Sequence, residues 1–421
     1  MTIINPRTEH LEFMGTPGAL TITVGLIFVI QLLYFGCNAE GCPSAWSVSA
    51  LLSQAKNATW ISWPAAKAYF AWLGALTVLD FVLPGKKVQG TVLRTGERLQ
   101  YRFNGKAVMV VLFSTLLFRT FSTRGQLPEL VFVYDHLHEI ANVTILLALA
   151  FSTVLYLWSF APNKLLALGG NSGQPIYDWF IGRELNPRIG PLDIKLFLEM
   201  RPGLLLWAVI DLAMAHHQYL KFGSVSDSMI LVCAFQIYYV VEGTCYEEGL
   251  VSMMDTTIDG LGFMLVFGDI SLVPFTYTLQ TRYLADHPVY LGLWKCLAIL
   301  AVYFVGILIF RLSNNEKNRF KAGDPSTAHL KYITSETGSK LLVSGWWGTA
   351  RHINYTGDWI ASWGHCLPCG SAIIPYYFMV YFAALLIHRE TRDEAKCAAK
   401  YKKTWIEYKQ KVPYRLIPGI Y

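Results

Sequence analysis

Charge is what this sequence lacks. Only 15% of its 421 residues are Asp, Glu, Lys or Arg, while 53% are hydrophobic and the mean hydropathy is +0.36. A soluble globular domain carries roughly 25% charged residues, so lipid, not water, is expected to cover much of this surface. Nucleotide-binding loops are missing too. The chain has no GxxxxGK[ST] run and no GxGxxG opening a helix, so any nucleotide must be held in another way. Eight cysteines are scattered. The single CxxC, Cys366 and Cys369, has no second pair, which favours packing over zinc or redox chemistry, and no metal is expected. Cys37 and Cys42 could pair if their side of a membrane is oxidising. The stretch MTIINPRTEHLEFMG lacks the basic segment, short apolar core and cleavage site of a secretory leader, so the first apolar run is expected to stay in the mature protein.

What the chain has is apolar length. Runs near 18–37, 67–84, 139–160, 203–220, 289–310 and 371–387 approach the roughly 20 residues that cross a hydrocarbon core. Weaker ones lie near 106–121, 227–243, 260–283 and 355–370. The expected fold is all-α, a polytopic membrane protein of about ten transmembrane helices. Thirteen Trp and 23 Tyr suit aromatic belts at two interfaces. Basic residues cluster: six in 85–106, six in 311–340 and nine in 389–421. The positive-inside rule puts these in the cytosol, and ten spans put both termini there as well. The membrane would be the endoplasmic reticulum in a eukaryote and the inner membrane in a bacterium. The Gly-, Asn- and Pro-rich stretch 161–202 reads as a structured cytosolic loop. Residues 1–421 read as one membrane domain, with 1–238 mainly scaffold and 239–421 the catalytic half.

Four polar groupings interrupt this apolar background. Lys317 and Lys321 are four apart and share a helix face, with Arg319 close by; such cations hold phosphates or anchor a helix at an interface. Arg351, His352, Asn354, Tyr355 and Asp358 crowd the start of a weak span beside Trp347, more polarity than a helix cap needs, which points to a polar cavity. Asp393, Cys397 and Tyr401 are spaced by four and Arg392 lies among them; the face is either functional or solvated. Glu242, Glu247, Glu248, Asp255 and Asp259 lie near span ends. Glu247 and Glu248 read as solvated loop acids, whereas Glu242 sits deeper and could handle a proton. His216 and His217 read as structural.

These residues and their surroundings resemble one family, the membrane sterol reductases: sterol C14 reductases, 7-dehydrocholesterol reductases and the membrane part of the lamin B receptor. The likeness runs from Leu11 to the end. GQPIYDWFIGRELNPR (Gly173 to Arg188) and LLIHRETRDEAKCAAKY (Leu385 to Tyr401) look like the two family signatures. LLVSGWWGTARHINYTGD is similar to a third run, with Ile353 where Pro is common. That run and DGLGFMLVFGD look closest to the C14 reductases, with Leu261 where Phe is usual.

The resemblance implies an NADPH-dependent Δ14-sterol reductase that adds a proton and then a hydride across C14=C15, with NADPH and sterol sites in the catalytic half. It implies that Lys317, Lys321, Trp347, Asn354, Tyr355, Asp393, Cys397 and Tyr401 meet NADPH, with Arg319, Arg351, His352, Asp358 and Arg392 in the same runs. The proton donors it suggests are Tyr239 and Tyr408, with Glu242 and Tyr414 in reserve. Other readings are a Δ7 or different sterol double-bond reductase, an isoprenylcysteine-type S-adenosylmethionine methyltransferase, and a non-enzymatic sterol-binding protein. The long upstream half with GRELNPR argues against the methyltransferase. Sterol and membrane lipid are the expected partners, with no nucleic acid and no obligate protein.

Overall fold

The computed structural model describes residues 4–45 and 47–421. The chain forms two compact units, residues 4–225 with 236–288, and 226–235 with 289–421. Helix Asp227–Cys245 contributes its first half to the second unit and the rest to the first. Residues 239–288, grouped by sequence with the catalytic half, thus fall with the N-terminal residues.

Among the described residues, seven helical segments are long and apolar enough to cross a membrane: Gly15–Gly36, Trp63–Val82, Gly105–Ser122, Leu137–Trp158, Asp227–Cys245, Phe263–Asp286 and Leu293–Lys321. The protein is a polytopic helical membrane protein. The other three expected spans take different forms. Residues 203–220 lie in helix Pro202–Phe222, which carries Asp211, His216, His217 and Gln218 among its apolar residues. Residues 355–370 hold the 14-residue helix Ile353–Cys366, and 371–387 lead into the 35-residue helix Tyr377–Lys411.

In the first unit, Pro202–Phe222 is buried on all sides from Pro202 to Asp211, with Leu205, Trp207, Ile210 and Met214 sealed off, and only its last turn from Tyr219 is exposed. A helix apolar on every face belongs in a core. Its polar groups are matched locally: Trp207 donates to Gln236 at 2.8 Å, and Thr281 donates to Asp211 at 2.8 Å. His216 meets the Gln126 carbonyl, and His217 stacks on Tyr134 and meets Asp286, so both are structural. Cys37 and Cys42 form a disulfide. Cys366 and Cys369, in the second unit, are buried thiols.

The 161–202 loop is ordered by its own side chains and by residues distant in sequence, Asn5 and Thr8 among them. Asp178 accepts from the Ser172 and Gly173 amides at 2.9 and 3.0 Å and from the Ser172 hydroxyl at 2.7 Å. Gly182 has φ +94°, and a Cβ there would lie 2.3 Å from the Gly260 carbonyl carbon. The GRELNPR and DGLGF runs therefore pack backbone against backbone, which only glycine allows.

One acid departs from the sequence reading. Glu247 is not solvated: it is 3% exposed and its carboxylate grips the Arg201 guanidinium, with Nη2 to Oε2 at 3.1 Å. Asn104 accepts from the same guanidinium at 3.1 Å, and Asp80 lies 3.7 Å away. The reason is a distant partner, since a buried carboxylate is tolerated only when paired. Glu248 does face solvent, paired with Lys86.

Candidate cofactor site

The second unit is organised by two helices, Leu293–Lys321 and Ile353–Cys366, packed at glycines. A Cβ on Gly306 would lie 2.3 Å from the Ala361 nitrogen, one on Gly357 2.5 Å from the Phe310 nitrogen, and one on Gly364 2.9 Å from the Tyr303 Cβ. Small residues let the two backbones touch, the usual device of helix pairs in membranes. Asp227 holds the start of the first helix by accepting from the Leu291 and Gly292 amides at 2.9 Å each.

This seam brings the far end of Leu293–Lys321 against the turn Gly345–Gly348 and the start of Ile353–Cys366. Trp347 is 5% exposed and donates from Nε1 to the Ser313 carbonyl at 2.7 Å. The Lys317 ammonium lies 3.7 Å from the centroid of the Trp347 ring, a cation–π contact. Lys321, one turn on, is exposed. Asn354 donates to Asn314 at 3.3 Å, while its buried Oδ1 has no hydrogen-bond partner among the described residues. Such an orphaned acceptor costs free energy unless something else meets it. The His352 ring stacks on Tyr355 at 5.0 Å. Burial, with Lys317 and Arg351 nearby, pushes the His352 imidazole down to about 3, so it is neutral at physiological pH.

Asp393, Cys397 and Tyr401 lie on one helical stretch that runs up to a break in the helix. Lys402 has φ +46° and ψ −115°, which breaks Tyr377–Lys411 immediately after Tyr401. Burial, then Asp393, pushes the Cys397 thiol up to about 11, with Lys317 pulling the other way; the thiol is therefore protonated and unsuited to nucleophilic work. Lys317 lies within electrostatic reach of Asp393 and Cys397.

Other candidates have different surroundings. Arg319 points away from the Lys317 face and pairs with Asp324 at 2.8 Å and Ser326 at 2.6 Å. Arg351 is a buried strut: it donates to the Val412 and Pro413 carbonyls at 2.8 and 3.0 Å, and its own amide donates to the Tyr414 carbonyl. Asp358 and Arg392 are half-buried on their helices. Tyr408 is 5% exposed in a cluster with Ile333, Trp405 and Val412, and burial raises its hydroxyl above the usual phenol range. The Tyr414 side chain is exposed. Tyr239 and Glu242 belong to the first unit. The Tyr239 ring lies 5.5 Å from that of Trp207, and Glu242 is half-buried.

Sequence reasoning missed the acids that hold the site. Glu394 accepts from Trp405 Nε1 at 3.0 Å, pairs with Lys409 at 3.1 Å and lies 3.7 Å from Arg351. Glu390, one turn earlier, pairs with Arg415 at 3.3 Å. Their four-residue spacing inside HRETRDEA was the available signal. Glu316 was missed as well, although it adjoins Lys317.

The fold is that of a polytopic helical membrane protein, and its C-terminal unit carries a candidate site built around Lys317 and Trp347. The chain belongs to the ergosterol biosynthesis ERG4/ERG24 family, whose model matches residues 7–421. It is similar to the Delta(14)-sterol reductase ERG24 of Saccharomyces cerevisiae, 45% identical over the whole of both chains. It is 43% identical to ERG24 of Candida albicans over 99% of each chain, and 44% identical to erg24 of Schizosaccharomyces pombe over 97% of each.

Proposed function

We propose that this protein is a Δ14-sterol reductase that takes its reducing equivalents from NADPH in the endoplasmic reticulum membrane. Its similarity to Δ14-sterol reductases along the full chain carries the reaction. The Lys317–Trp347–Asn354 arrangement carries the cofactor: two lysines on one helix face suit the 2′-phosphate that distinguishes NADPH from NADH, and the orphaned Asn354 Oδ1 suits a donor on the ligand. Asp393, Cys397 and Tyr401 would border the same ligand. Ten spans with both termini cytosolic would put these lysines where NADPH is available.

Reduction of an isolated C=C adds a proton to one carbon and a hydride to the other. A proton at C15 leaves positive charge on C14, the more substituted carbon. NADPH, when bound, supplies the hydride. The protein holds the sterol in an apolar setting, excludes water and keeps an acid at C15. Tyr239 is the preferred donor: it carries a phenol hydroxyl, and its ring lies beside Trp207. Glu242, Tyr408 and Tyr414 are the alternatives. Tyr239→Phe should abolish turnover and keep NADPH binding; full activity would remove Tyr239 from the mechanism.

The reaction is tested by incubating purified protein with NADPH and defined Δ14, Δ7 and Δ24 sterols and reading products by mass spectrometry. Loss of the Δ14 bond alone is expected. Reduction of the Δ7 sterol alone, or no NADPH consumption with any of them, overturns the proposal.

A further inference from the structure

One face of helix Leu293–Lys321 acts as a clamp. Ser313, Glu316, Lys317 and Phe320 stand at positions 0, 3, 4 and 7 and share that face. All four meet the segment around the turn Gly345–Gly348. The Ser313 carbonyl accepts from Trp347 Nε1 at 2.7 Å, the Glu316 Oε1 accepts from the Trp346 amide at 2.9 Å, the Lys317 ammonium covers the Trp347 ring at 3.7 Å, and Phe320 packs against the cluster of Leu330, Leu342 and Trp347.

Glu316 is the member that reaches the backbone of the turn. Gly345 has φ +63°, and a Cβ there would lie 2.4 Å from Glu316 Oε2. The carboxylate thus occupies the space that any larger residue at 345 would fill, so turn and acid are fitted to one another. A charge-assisted bond to a backbone amide at the start of a 3₁₀ turn is short and directional. It fixes the turn, the turn fixes the Trp347 ring, and the ring fixes the cation beside it.

We propose that Glu316 is a positioning residue for the cofactor site. Its carboxylate holds the Gly345–Gly348 turn so that Trp347 presents the Lys317 ammonium toward a phosphate. This rests on the reading that Lys317 and Lys321 recognise the NADPH 2′-phosphate.

The test is steady-state kinetics of the full-length protein with NADPH and with NADH, alongside thermal unfolding. Glu316→Ala should raise the KM for NADPH about tenfold, the value of one charge-assisted hydrogen bond, with kcat and sterol KM within twofold and the KM for NADH little changed. Glu316→Gln keeps an acceptor at Oε1 and should restore most of the NADPH affinity. Glu316→Asp is one methylene too short to reach the Trp346 amide and should behave like the alanine variant despite its charge; it also serves if the alanine variant does not fold. A purely structural role predicts lower melting temperatures with unchanged NADPH KM, and that result overturns the proposal, as does equal loss of NADPH and NADH. A parallel Lys317→Ala/Lys321→Ala variant separates the two ideas. If it keeps normal NADPH affinity, the cofactor reading fails; if it loses NADPH while Glu316→Ala and Glu316→Asp do not, only the clamp fails.

Discussion

Gly306→Ala adds one methyl group at the tightest point of the helix seam. The new Cβ would lie 2.3 Å from the Ala361 nitrogen and 2.7 Å from the Gly357 oxygen, where ordinary contact begins near 3.4 Å. Both neighbours are backbone, so no side chain can swing aside. The helices must part by about 1 Å, and overpacking of this kind costs roughly 1–3 kcal/mol. The displacement also has a functional consequence. The Asn314–Asn354 bond bridges the same two helices at 3.3 Å, and a further ångström breaks it, because hydrogen bonds do not survive such stretching. The variant should therefore melt several degrees lower in detergent and bind NADPH more weakly. Thermal unfolding followed by tryptophan fluorescence, together with NADPH titration, measures both. A melting temperature and NADPH affinity equal to the parent protein's would refute the backbone-contact reasoning.

Lys317→Ala with Lys321→Ala should weaken NADPH about ten- to a hundredfold and leave NADH and sterol binding nearly intact, as read by titration with each. Glu247→Ala leaves the Arg201 guanidinium buried without its carboxylate, a loss of roughly 3–5 kcal/mol, and should sharply lower the yield of folded protein on size-exclusion chromatography. His352 supplies a pH dependence. Its folded-state value of about 3 lies below the ordinary 6.5, so between these values the unfolded chain binds a proton that the folded chain refuses. Stability from this group is complete above pH 6.5 and declines as pH falls toward 3. Melting curves between pH 7 and pH 4 should show that decline, and His352→Gln should flatten it.

Much of this molecule could be read without coordinates, because local rules govern it. Apolar length marks Gly15–Gly36, Leu137–Trp158 and Leu293–Lys321 as membrane helices. The four-residue spacing of Lys317 with Lys321, and of Asp393, Cys397 and Tyr401, defines a face wherever the backbone stays helical, and it does so up to the break at Lys402. Periodicity names a face but not what the face meets. Arg319 shares a cationic run with Lys317 yet turns to Asp324, and Arg351 is spent on the carbonyls of residues 412 and 413. Glu247 looked like a loop acid because Arg201, 46 residues away in sequence, supplies the charge that permits its burial. Composition along the chain decides which segments leave water. Which charges may leave water with them is decided in the tertiary structure, since a buried charge is stable only beside a partner that the chain brings from far away.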